Sequence, residues 1–186
     1  MVQRILIFVA FVFSPVMGIS QVAYDALRTP VTLSAGGYYS YFDGNYAGNH
    51  LMGAGAYVDY SPLVLDQLGV EAEGRWLNIN GTHGFSETTY LIGPQYRFVW
   101  GQRKRLHPYA KALVGIGEIN FPYQLAHGNY LAIAPGGGAD FALNLRWRLR
   151  ADYEYQLWPS APGIPGVASA MLKPNGVSVG VSYRIF

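Results

Sequence analysis

The 186-residue chain contains no cysteine. That removes disulfide frameworks, thiolate zinc sites, iron–sulfur clusters and cysteine nucleophiles together. Charge is scarce as well. Asp, Glu, Lys and Arg make up 13% of the residues, against roughly 25% in ordinary soluble domains. With 51% hydrophobic residues, this argues against disorder, nucleic-acid binding and a typical cytosolic enzyme. The formal net charge of +2 is too small to imply a polyanionic partner. The four histidines show no metal-ligand spacing, so neither metal nor cofactor is expected. No segment carries a helical apolar stripe. What is abundant is glycine (23 residues) and tyrosine (15 residues).

One long apolar run exists, at the N-terminus. Arg4 supplies a positive start, Ile5 to Met17 is uncharged and apolar, and Gly18-Ile19-Ser20 offers the small residues that a signal peptidase reads. A spanning helix needs about 20 apolar residues, and this run is shorter and contains Pro15. Residues 1–20 therefore read as a cleaved signal peptide, with the cut before Gln21 and 21–186 as the exported domain. No cysteine follows the cut, which excludes a lipoprotein.

From residue 30 onward apolar residues recur at every second position, the strand period. Eight such runs appear, at 31–42, 50–60, 68–78, 88–100, 107–118, 129–140, 145–157 and 175–186, separated by clusters of Gly, Pro, Asn and Asp. One face of the runs carries no charge; Val58, Val70, Ile92, Val114, Leu131, Val177 and Val179 are typical of it. The other carries Asp59, Glu71, Glu73, Arg75, Arg97, Lys111, Asp140, Arg146, Arg148, Arg150, Asp152, Glu154 and Arg184. Three charges share one parity in 71–75 and five share one in 146–154. A soluble barrel would turn the apolar face inward; a membrane barrel does the reverse. Gly74-Arg75-Trp76 matches the G-x-W triplet of a soluble lipocalin, but it lies in the third run and not the first. The many glycines on the charged face would leave room for long side chains inside a narrow tube. Runs of about 12 residues, tilted roughly 45°, span about 28 Å, the height of an outer-membrane apolar band.

The rings and turns agree with a membrane barrel. If the first strand starts at the periplasmic side, Tyr39, Tyr41, Trp76, Tyr90, Tyr155 and Trp158 fall at the outer rim, and Tyr60, Phe98, Trp100, Trp147 and Tyr183 at the inner one. The connections 61–67, 101–106 and 141–144 are short. Those at 43–49, 79–87, 119–128 and 158–174 are longer and would face outside. The last is rich in Pro and Gly and reads as a mobile exposed loop. The fold predicted is all-β: an eight-stranded antiparallel transmembrane β-barrel, connected as an up-and-down meander.

Several stretches resemble the small outer-membrane β-barrel family that includes the outer-membrane protein A and opacity-type barrels. They are Gly93-Pro94-Gln95-Tyr96-Arg97-Phe98, Pro108 to Gly115, Arg148 to Tyr155, and the ending Gly180-Val181-Ser182-Tyr183-Arg184-Ile185-Phe186. The resemblance covers about 31–186 and implies the architecture, a bacterial outer-membrane location, contact with outer-membrane lipid, and handling by the barrel-assembly machinery through the C-terminal strand with Phe186. Ile185 sets Phe186 out of phase with the preceding aromatic of the usual pattern. No peptidoglycan-binding domain follows the eighth run, so cell-wall tethering is not implied.

Barrel enzymes of this size use a His with Ser and a carboxylate. No His-x-Ser pair is present; His83, Ser86 and Glu87 only loosely imitate an acyl-transfer set. The expectation is a protein with no enzymatic activity. The charged face is expected to be a structural network filling the lumen, made of Glu71, Glu73, Arg75, Arg97, Lys111, Arg146, Arg148, Arg150, Asp152 and Glu154, since an eight-stranded barrel is just wide enough for side chains to fill. Within it, Glu73 is expected to pair with Arg97 or with Arg148 or Arg150, so that Glu73→Gln would be costly. The functional expectation is a structural or surface-interacting barrel, with a small channel or porin as the alternative and a lipid-modifying enzyme third.

Overall fold

The computed structural model describes residues 32–45, 50–62, 67–78, 86–98, 105–120, 127–159 and 171–186. Residues 1–20, expected to be a signal peptide, lie outside them, as do Trp100, His83 and the tips of most connections. Eight strands form: β1 (Thr32–Asp43), β2 (His50–Ser61), β3 (Leu68–Asn78), β4 (Ser86–Arg97), β5 (Leu106–Asn120), β6 (His127–Ala142), β7 (Trp147–Tyr155) and β8 (Asn175–Arg184). Each pairs antiparallel with the next, and β8 returns to β1, giving a closed barrel in meander order. Closure leaves no open edge, which a chain in lipid requires because nothing there can satisfy a free N–H or C=O.

Each of the eight runs becomes a strand, and the boundaries move where backbone donors are missing. The β6–β7 ladder stops at Gly136↔Glu154 and resumes only at the bridge Ile133↔Leu157. Pro135, opposite Tyr155 in that register, has no N–H to give. Hence β7 ends at Tyr155 and not at 157. Strands β5 and β6 run further than their alternation suggests, so 119–128 shrinks to the segment between Asn120 and His127. Only the β7–β8 connection remains distinctly longer than those at the opposite end. Tight turns are fixed locally. Asn45 adopts φ 52° and its N–H is accepted by Asp43 Oδ1 at 2.9 Å. Asn144 Oδ1 accepts from the N–H groups of Arg146 and Trp147 at 2.9 and 2.8 Å.

The apolar face is outside. Val58, Val70, Ile92, Val114, Ile116, Leu131, Val177 and Val179 are all exposed. A surface this apolar is untenable in water and fits a hydrocarbon layer. Ring pairs mark its two borders: Trp76 with Tyr90 at the end where β1 finishes, and Tyr96 with Phe98 and Trp147 with Tyr183 at the end where it begins.

Candidate functional site in the barrel lumen

Alternation sends the other face inward, and three cations dominate the middle of the lumen. Lys111 on β5 is the hub. Its Nζ lies 2.8 Å from Glu71, 3.0 Å from Glu73, 3.2 Å from Asp152 and 3.1 Å from Glu154. Arg150 on β7 reaches Asp59 at 2.7 Å, Glu71 at 2.8 Å and Asp140 at 2.8 Å. Arg75 on β3 holds both oxygens of Glu154, at 2.7 and 3.3 Å, and lies 3.2 Å from Glu73. Arg97, half-buried, pairs with Asp59 at 3.1 Å. Gln95 donates to Glu71 at 2.6 Å, and the Tyr109 hydroxyl donates to Asp152. Six carboxylates thus share four cations, so each buried cation serves several acids.

Aromatic faces complete the cations' surroundings. The Arg150 guanidinium lies 4.0 Å from the Tyr57 ring centroid and 4.6 Å from that of Tyr109. Arg75 lies 4.3 Å from Phe42 and 5.2 Å from Tyr38. Such contacts are worth about 2 kcal/mol or more once water is excluded. The inward glycines make room for these rings more than for long charged chains. A Cβ at Gly36 would fall 2.6 Å from Tyr57 Cζ, and one at Gly117 would overlap the Trp158 indole.

Above this layer the lumen changes character. Phe42, Leu51, Leu77, Leu91, Leu113, Ile119, Ala132, Ala134, Trp158 and Leu172 form one buried apolar cluster at the end where β1 finishes. Trp158 and Leu172 come from the β7–β8 connection, bridged to each other by Trp158 N–H donating to Leu172 O at 3.0 Å. Trp158, expected at the outer rim facing lipid, is instead fully buried inside. The strand has ended by then, and Trp158 and Leu172 turn into the lumen and fill its end. The ends of the connection are therefore a lid; 160–170 lie outside the described residues. Lid and charge network are joined: the Trp158 indole N–H donates to Gln156 Oε1 at 2.8 Å, and Gln156 Nε2 donates to Glu154 Oε1 at 2.8 Å.

Two of the ten expected network residues do not join the ion pairs. Arg146 is exposed. It belongs to the β6–β7 turn, not to a strand, and donates to the Tyr183 hydroxyl on the outer side at 2.8 Å. Arg148 points inward but makes no ion pair among the described residues. Glu73 pairs with Lys111 and Arg75 rather than with Arg97, Arg148 or Arg150, because the stagger of the barrel brings β5 across to β3. Of the loose acyl-transfer set, Glu87 is buried under the lid and Ser86 Oγ accepts from Asn120 at 3.3 Å; His83 lies outside the described residues. The inward apolar strand residues Leu91 and Leu113 escaped notice in the sequence, although the unbroken apolar triplets Tyr90-Leu91-Ile92 and Ala112-Leu113-Val114 signalled them.

Comparison with known proteins agrees with this architecture. Among solved structures, the Neisserial surface protein A aligns with TM-score 0.61 at 12% identity, covering 82% of this chain and 96% of its own. The N-terminal barrel domain of Pseudomonas aeruginosa OprF gives 0.57 at 13%, covering 83% and 97%. A de novo designed transmembrane β-barrel gives 0.53 at 16%, covering 85% and 98%. At these identities the likeness establishes the fold. No curated protein matches. The model of the outer membrane protein beta-barrel domain matches residues 6–184. With that span covered, the chain belongs to the outer membrane protein β-barrel domain family, and its place is the bacterial outer membrane.

Proposed function

We propose that this barrel is a non-conducting, non-enzymatic protein of the outer membrane, with a structural or surface-interaction role. It uses its apolar band to sit in lipid, and partners outside would meet what lies between the strands at the end where β1 finishes, 44–49, 79–85, 121–126 and 159–171. Delivery through the barrel-assembly machinery at the Phe186 strand belongs to the same reading. The observation that carries it is a dry lumen. Arg75, Glu71 and Glu154 have no surface open to water, and Arg150 has 2%. A conducting pore needs hydrated charges along its wall, whereas these are paired with one another and closed over by Trp158. Among the described residues, an ion passing through the layer of Arg75, Lys111 and Arg150 would meet buried pairs whose disruption costs several kcal/mol each.

Planar-bilayer recording of the purified, folded protein tests this. The expected trace shows no stepwise conductance above the bare membrane. Reproducible, ion-selective steps would replace this reading with a small channel.

A further inference from the structure

At the end of the ion-pair layer where β1 begins and β8 finishes, three arginines stand at the mouth of the lumen, one of them paired with Asp59. Arg97 closes β4, Arg148 stands second in β7 and Arg184 closes β8. All three share the inward parity of Gln95, Arg150 and Ser182, and all three are only half-buried. Arg148 feels Arg97 and Arg184 as like-charged neighbours, set against Asp140 and Asp59. Both carboxylates serve Arg150, Asp140 through both oxygens at 2.8 and 3.2 Å and Asp59 through Oδ2 alone at 2.7 Å; Asp59 Oδ1 is buried with no hydrogen-bond partner. Neither Arg148 nor Arg184 makes a side-chain hydrogen bond or ion pair among the described residues. Arg97 uses its two terminal nitrogens on Ser61 at 3.0 Å and Asp59 at 3.1 Å, and its Nε–H is buried without an acceptor. Buried donors of charged groups are normally satisfied, and three guanidiniums with one shared carboxylate leave a surplus of positive charge at this end.

We propose that this periplasmic mouth is an oxyanion site that takes a phosphate group on Arg97, Arg148 and Arg184. Guanidinium forks suit phosphate oxygens, which accept two parallel N–H bonds. The three stand at strand ends, level with the Trp147–Tyr183 ring border, where inner-leaflet phosphates lie. The phosphate therefore comes either from a phospholipid headgroup or from free phosphate in the periplasm. The site supplies what the mouth lacks, a shared anion for two unpaired forks and a buried N–H.

The full folded chain in a non-ionic, phosphate-free detergent separates these possibilities. Inorganic phosphate is titrated against chloride at constant ionic strength, with the urea midpoint as readout. A ligand that binds only the folded state raises that midpoint. The expected result is a phosphate-specific rise in the wild type, with half-saturation weakened about tenfold in Arg148→Gln. Arg148→Lys, which keeps the charge and loses the fork, falls between. Arg146→Gln, outside the mouth, behaves as wild type. Repeating the titration in phospholipid nanodiscs identifies the source. A rise that persists there assigns the site to free phosphate, and one that vanishes assigns it to headgroups already in place. Without phosphate, Arg148→Gln should be at least as stable as wild type, because it removes like-charge repulsion. Equal responses to phosphate and chloride, an unchanged half-saturation in Arg148→Gln, or a clear loss of stability in that variant without phosphate would each overturn the proposal. The last would mean that Arg148 serves the carboxylates above it.

Discussion

The lumen is filled in two ways, and the two fillings differ in what they tolerate. The middle is an ionic layer in which Lys111, Arg150 and Arg75 hold six carboxylates together with Arg97. The upper end is an apolar cluster of Leu, Ile, Phe, Ala and Trp side chains that would serve equally in a soluble core. Contact in the apolar layer is non-directional, so it depends on volume. In the ionic layer each charge needs a counter-charge at a definite place, and the scarce sign is positive. Removing Lys111 takes a counter-charge from four acids at once and leaves Asp152 with none. Removing one acid leaves the cation with others.

Variants can sharpen that contrast, from the largest effect to the smallest. Lys111→Met should cost the most. It leaves four carboxylates without their shared cation, and loss of one partner from even a single buried pair costs about 3–5 kcal/mol; failure to refold into vesicles, or a much lower urea midpoint, is the readout. Trp158→Ala should come next, at about 3 kcal/mol, the lower end for a buried ring, since the exposed ends of its connection can partly collapse; Trp158→Phe should recover most of the loss. On the outer surface, Val114→Arg should cost about 2–4 kcal/mol by its depth in the bilayer, while Val114→Leu is silent. Should Val114→Arg unfold no more easily than wild type in a bilayer titration, the two faces are assigned the wrong way round. Least affected is Leu113→Met in the apolar layer, at less than about 1.5 kcal/mol.

The sequence made the architecture legible because the strand period is short and the parity of the charges is strict. Glu71-x-Glu73-x-Arg75 and the alternation through Arg148, Arg150, Asp152 and Glu154 identify an inward face without any structure. Which charges meet is another matter. Lys111 touches β3 and β7 residues, a consequence of strand stagger across the lumen that no local pattern contains. For that reason the local pattern points to Glu73 as the critical acid, whereas the hub is a lysine two strands further on, 38 residues away. Arg146 kept the parity of the network but not the strand, since Asn144 turns the chain before it. Trp158 was the harder case. A ring past the last outer position reads as part of a belt, and only the bridge to Leu172 shows that it folds inward.

Lys111→Met and Glu73→Gln compared side by side, for stability in vesicles and for conductance in planar bilayers, test the central claim of a dry lumen held by scarce cations. The account predicts that Lys111→Met is destabilised far more than Glu73→Gln, because Arg75 keeps Glu154 when Glu73 is neutralised, and that the Glu73→Gln barrel conducts no ions. Two stable variants that pass current with altered ion selectivity would contradict it, because charges screened by water cost little to remove.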